Sequence, residues 1–177
     1  MKRRDQICLS AAILSVLVAR APDARGDPAR AATQPQAAGW IEEAWIGDPA
    51  APIAAKLDTG AATSSLHAED VRRRGAGGEE RVTFTFIDRN GERRTFEAPI
   101  VRWTRIRRAG ADLDERPVVR LALCLAGVTA LTEFTLADRS GLDYPLLVGR
   151  SFLAGRVLVD SATMHAADGM CAAGRGK

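Results

Sequence analysis

The chain has 177 residues with 46% hydrophobic content, enough to bury one core and to form one domain with appendages. Its net charge of +3 conceals three arginine runs: Arg72 to Arg74, Arg93 with Arg94, and Arg102 to Arg108. With 5% aromatics and no recognised nucleic-acid motif, these runs read as solvated faces, and no nucleic-acid partner is expected.

In chain order, Lys2, Arg3 and Arg4 precede an uncharged, mainly apolar stretch from Ile7 to Ala19, followed by segments rich in Ala, Pro, Arg and Asp. That order is a secretory signal peptide, assigned to residues 1–26, and the apolar stretch is too short to span a bilayer. The expected location is periplasmic or secreted, with no membrane contact once the leader is cleaved. Residues 27–39 read as a disordered tether, residues 40–168 as the folded domain and residues 169–177 as a C-terminal tail. Export implies an oxidising compartment and leaves Cys124 and Cys171, which could form a disulfide or remain two free thiols.

From Trp40 onward apolar residues recur with period two. "GWIEEAWIGD" and "APIAAKLDTG" read as strands, and "RVTFTFIDRNGERRTFEAPIV" reads as a hairpin turning at Asp88, Arg89, Asn90 and Gly91. Asn-Gly between two alternating runs favours such a turn because both residues tolerate positive φ. "RPVVRLALCLAGVTALTEFTLADRSG" repeats the pattern with a turn near Gly127. "YPLLV" and "RVLVD" flank the one good helical turn, "GRSFLAG". The sum is a small, mainly β domain with one short helix, either barrel or sandwich.

"AKLDTGA" and "YPLLVGRSFL" together resemble the retropepsin-like aspartic proteases, with Asp58 and Gly149 standing 91 residues apart. With "TSSLHA" and "ERPVVRLALCLAG" the likeness is closer to the bacterial retropepsin-like family that bears the name ATP-dependent zinc protease, and it covers about Trp40 to Asp160. The resemblance implies a closed β-barrel acid-protease half. It also implies an aspartic endopeptidase acting on peptide or protein substrates, with a dyad formed by Asp58 of two subunits in a homodimer. Within that reading Asp58, Thr59 and Gly60 are catalytic, the Asp88 to Gly91 hairpin is a flap over substrate, and Gly149 and Arg150 are structural residues at the interface. Retroviral subunits carry a further Asp after this turn as partner for the arginine; here Ala61 and Ala62 stand there, so Arg150 must find an acidic group or a backbone carbonyl instead.

Two carboxylates sharing a proton and a water suit peptide hydrolysis, since one takes a proton from water while the other donates to the scissile carbonyl. A second carboxylate within the same chain is a lesser alternative, because "VLVDSATMH" echoes "AKLDTGAATSSLH" and offers Asp160. Neither zinc nor ATP is expected as a cofactor. His67 and His165 stand in no zinc-binding spacing, and no Gly-x-x-x-x-Gly-Lys-Ser/Thr loop is present. The rival to a protease is a non-catalytic binding or scaffold domain of the same fold, with Asp58 holding an interface together; a metal-dependent hydrolase is weaker on ligand count.

Overall fold

Alternation between inward apolar and outward polar side chains sets the architecture. The structure, a computed structural model, describes residues 34–47, 50–75, 80–107 and 113–171. The proposed leader, the first part of the tether and the last six residues lie outside the described residues.

The strands are β1 (Gln36–Gly39), β2 (Ile41–Ile46), β3 (Ala51–Leu57), β4 (Ser64–His67), β5 (Glu69–Arg74), β6 (Arg81–Ile87), β7 (Arg93–Arg107), β8 (Leu113–Leu125), β9 (Val128–Ala137), β10 (Leu146–Val148) and β11 (Val157–Asp160), with one helix, α1 (Arg150–Leu153). Nine of them form one sheet in the order β2-β3-β10-β4-β9-β8-β7-β6-β5. A further pairing of β2 with β8, Trp45 opposite Cys124 and Ile46 opposite Leu123, closes the first six strands into a barrel. The open alternative between barrel and sandwich is thereby decided.

Ile53, Ala55 and Leu57 of β3 meet Val119, Leu121, Leu123 and Leu125 of β8, Phe134 and Leu136 of β9, and Leu146 and Val148 of β10 in one core. A six-stranded barrel is narrow enough for such side chains to fill. The strands β5, β6 and β7 continue the sheet beyond the barrel. Phe96 stacks with Phe84 at 6.1 Å and with Phe86 at 5.5 Å. Gly47 faces the Phe96 ring with φ of +86°, and a Cβ there would lie 2.4 Å from a ring carbon, so glycine is required for that packing.

Both expected hairpins form, β6 with β7 and β8 with β9. A third, β7 with β8 from Arg102 opposite Val118 to Arg107 opposite Leu113, runs through the arginine-rich stretch that reads as mere surface in the sequence. The tether is a correction: its last four residues are β1, which pairs in parallel with β11 over Gln36 to Gly39. The reason is long-range, since the partner strand lies near the other end of the chain. The tail is also tied back at its start, because Cys171 forms a disulfide with Cys124 on β8.

Candidate active site

The strand β3 ends at Leu57 and delivers Asp58 to a loop that returns as β4 at Ser64. The Asp58 Oδ1 accepts the N–H of Gly60 at 2.8 Å and of Ala61 at 3.1 Å, while its own N–H donates to the Val148 carbonyl of β10 at 2.9 Å. An added Cβ on Gly60 would stand 3.1 Å from Oδ1, so glycine permits the close approach of backbone to carboxylate. These two donors fix the carboxylate in one orientation and stabilise its charge. The other oxygen, Oδ2, accepts no hydrogen bond from the described residues. Asp58 is half-buried, whereas Thr59, Gly60, Ala62 and Thr63 are exposed.

The start of α1 clamps this loop. The Arg150 guanidinium donates to the carbonyls of Thr59 at 2.9 Å and Gly60 at 2.7 Å. Backbone N–H groups of Arg150 and Ser151 donate to the carbonyls of Ala61 and Ala62. Gly149 donates to the Ser64 hydroxyl, and a Cβ at Gly149 would sit 2.5 Å from the Thr63 carbonyl oxygen. The arginine's partner is therefore the backbone of the Asp58 loop itself. This replaces the carboxylate that follows the turn in retroviral subunits.

Support reaches the loop from the other side through Trp40, whose carbonyl accepts the Leu57 N–H at 2.8 Å. The adjoining corner is held by Glu42, a wholly buried carboxylate that accepts N–H groups of Gly39, Ala166 and Ala167. Three donors satisfy a carboxyl group that would otherwise be costly to bury. Next to it, Asp168 accepts the Glu43 N–H, meets the Glu42 side chain and contacts His165; burial alone would raise its pKa, but these interactions outweigh burial and hold it below the ordinary value. Neither Ser64 nor Glu42 is legible in the sequence as part of this arrangement, since each merely occupies one position of a strand.

The other predicted site residues lie elsewhere. The Asp88 to Gly91 turn does not meet Asp58. Its Arg89 N–H donates to the Pro52 carbonyl at the start of β3, and the Arg89 side chain pairs with Glu43. Pro52 stands six positions before Asp58 along the strand, roughly 20 Å, so within one chain this turn is fastened at the opposite end of β3 from Asp58. Asp88 is a buried turn carboxylate. Burial would raise its pKa, but the Glu92 N–H, the Arg94 guanidinium and the Asn90 N–H outweigh burial and lower it.

Asp160 caps its own turn by accepting the Ala162 N–H, and no hydrogen bond joins it to Asp58. His67 lies at the far end of β4, where Nδ1 accepts the Arg139 N–H at 2.9 Å. Among the described residues no three His, Cys, Asp or Glu side chains are grouped to hold a metal ion, so the zinc of the family name finds no fitting ligand set there.

The geometry, an Asp-Thr-Gly loop clamped by a Gly-Arg helix start at one end of a six-stranded barrel, agrees with comparison to known proteins. A family described as retropepsin-like aspartic endopeptidase RimB, of the RimB-like type, matches residues 37–168. The chain belongs to the RimB-like family. It is 32% identical over 129 residues to a probable alpha-L-glutamate ligase of Parasynechococcus marenigrum (strain WH8102), covering 71% of this chain and 27% of that protein. A ligase of the same name from Desulfotalea psychrophila (strain LSv54 / DSM 12343) is 31% identical over 126 residues, covering 70% and 27%. The RimB-like chain thus spans about a quarter of the length of the curated relatives it matches. A crystal structure of a protein of unknown function (DUF785) from Legionella pneumophila subsp. pneumophila str. Philadelphia 1 superposes with a TM-score of 0.63 at 29% identity, over 75% of this chain and 98% of that one.

Proposed function

We propose that this chain is an aspartic endopeptidase that acts as a homodimer, each copy supplying Asp58 to one shared dyad, and that it cleaves glutamate-rich peptides outside the cytoplasm. The observation that carries the reading is the Asp58 carboxylate. Gly60 and Ala61 orient one oxygen, Arg150 clamps the loop from below, and Oδ2 accepts no hydrogen bond from the described residues. The exposed Thr59, whose hydroxyl has no partner among the described residues, supports a second copy meeting the loop at this point.

In the dimer one Asp58 is ionised and the other protonated, because two adjacent carboxylates cannot both carry charge. The ionised group takes a proton from water as the water oxygen attacks the scissile carbonyl carbon. The protonated group gives its proton to the carbonyl oxygen. The tetrahedral gem-diol then expels the amine, which takes a proton from one Asp58, while one hydroxyl returns its proton to the other Asp58, so a carboxylic acid forms and the dyad regains its single shared proton. Glutamate-rich substrates are supported by the relatives named alpha-L-glutamate ligases, in which a matching segment is one part of a longer chain, and by the arginine content here. Action outside the cytoplasm is supported by the leader-like start and the Cys124–Cys171 disulfide.

The test incubates the purified full chain with a peptide library that includes oligoglutamates, from about pH 4 to 8, with and without chelator. Cleavage that is lost in Asp58→Asn and indifferent to chelator is the expected result. A folded dimer that cleaves nothing under any condition makes the chain a scaffold domain; cleavage that chelator abolishes makes it a metal-dependent hydrolase.

A further inference from the structure

The strand β5 ends the nine-strand order and pairs only with β6, so its outer edge has no strand partner among the described residues. A bulge between Glu69 and Arg72 separates two unlike parts of this strand. Before it, Glu69 and Asp70 are both engaged by Arg93, at 2.7 and 2.9 Å. Val71 lies within the irregularity and Arg72, Arg73 and Arg74 follow it, all four exposed, with no acidic residue among them.

The arginines of this run are not equivalent. Arg73 pairs with Glu80 and lies over the Trp103 ring at 5.5 Å. Alternation sends Arg72 and Arg74 to the opposite face, where their cross-strand neighbours are Thr83 and Arg81. Arg81 is itself committed to Glu97. Every other arginine whose side chain is described meets a carboxylate or a backbone carbonyl. Arg72 and Arg74 alone meet none among the described residues. They stand two residues apart on one face of a free edge, roughly 7 Å from each other, which is the spacing of alternate side chains in any extended peptide.

We propose that this edge is a docking strand for an extended acidic peptide, which adds to the sheet beside β5 and presents alternate carboxylates to Arg72 and Arg74. Backbone groups on the outer edge supply sequence-independent hydrogen bonds, and the two guanidinium groups select for carboxylate side chains at every second position. A run of glutamates satisfies both demands at any register, so an acidic tract binds in many equivalent frames. The site stands apart from the Asp58 loop and holds the substrate chain while another part of it reaches the dyad. The placing of a substrate there rests on the function proposed above, but the binding of acidic peptide does not.

The experiment uses the full chain carrying Asp58→Asn, so that binding is read without cleavage, and a fluorescently labelled oligo-L-glutamate of about ten residues, longer than the four-residue edge. Fluorescence anisotropy is expected to show saturable binding that weakens with salt and falls roughly tenfold or more in Arg72→Ala/Arg74→Ala. An oligoglutamine peptide of the same length reports the backbone contribution and is expected to bind like the double variant binds oligoglutamate. Unchanged affinity in the double variant overturns the proposal, as does equal binding of oligoglutamine by the unaltered edge. If the double variant only aggregates sooner, at the same peptide affinity, the charges merely protect the edge, and the proposal fails. Single-stranded DNA is the competing polyanion; if it binds more tightly with the same arginine dependence, the partner is nucleic acid and the peptide assignment is wrong. Cleavage by the active chain at rates indifferent to Arg72 and Arg74 sinks this inference alone. Arginine-dependent binding without any cleavage sinks the protease reading and leaves the docking strand standing.

Discussion

At Gly149 three demands converge on one residue. The N–H donates to Ser64, the next residue's N–H donates to the Ala61 carbonyl, and the α-carbon passes so close to Thr63 that a Cβ would lie 2.5 Å from a carbonyl oxygen. Backbone cannot retreat as a flexible side chain would, so Gly149→Ala must displace the loop that carries Asp58. We expect a loss of about 1–3 kcal/mol in stability, with a fall in kcat of roughly a hundredfold from sub-ångström to ångström misplacement of the carboxylate. Gly141→Ala is the control, since its added Cβ meets nothing within 4 Å. Urea denaturation and peptidase kinetics on both variants read the two effects, and equal behaviour of the pair contradicts the clamp. Asp58, Gly149 and Arg150 were legible because each belongs to a short pattern. Arg150's partners were legible only as alternatives, because a carbonyl acceptor leaves no trace in residue identity. Glu42 is not legible at all: the N–H groups it accepts come from Gly39 and, more than a hundred residues away, from Ala166 and Ala167.

Among the elements, the β6–β7 hairpin separates what a local signal reports from what it cannot. Asn90-Gly91 announces a turn, and the turn forms with Asp88 accepting N–H groups of Asn90 and Glu92. The direction in which the turn points depends on its contact with Pro52, which no local pattern encodes, so the hairpin is legible in the sequence and its placement is not. β5 leaves no strand signal in the sequence because both of its faces are exposed, which removes the alternation that marks a half-buried strand. The Asp88 carboxylate gives this hairpin a pH dependence. Burial opposes its charge, yet the Glu92, Arg94 and Asn90 donors prevail and its pKa in the fold lies below the ordinary one. The ionised form therefore contributes stability that is fully present above the unfolded pKa of about 4 and is lost as pH falls through the lower folded value. Asp88→Asn should destabilise the chain at pH 7, and its gap to the unaltered chain should be narrower at about pH 3 than at pH 7. Urea midpoints at the two pH values decide it, and a gap that is constant with pH removes the charge from the explanation.

Across the whole molecule the ends of the chain are used to brace its middle. β1 pairs with β11, the Thr163 carbonyl accepts the Trp40 N–H, the His165 N–H donates to the Ile41 carbonyl, and Cys171 is joined to Cys124 across 47 residues, a loop whose closure contributes about 4 kcal/mol in the chain-entropy account. Barrel closure through β2 and β8, like this bracing, joins residues far apart in the chain and is invisible to periodicity, as are the parallel pairings of β10 with β3 and β4 with β9, whereas the mainly β class and the two hairpins follow from alternation and turn residues. The proposed dyad, built from one Asp58 per chain, then sets the most stringent expectation. If both Asp58 side chains of a two-fold dimer are needed, a heterodimer of active and Asp58→Asn chains has half a dyad and is inactive. Adding an equal amount of Asp58→Asn chain to a fixed amount of active chain, with time for exchange, traps about half of the active chains in heterodimers and lowers the rate to about half. Independent monomeric sites leave the rate unchanged under the same addition. Dilution must act in the same sense, since activity per chain falls once the concentration drops below the dimer dissociation constant. A rate that ignores both the added variant and the dilution assigns catalysis to one chain alone and removes the shared dyad.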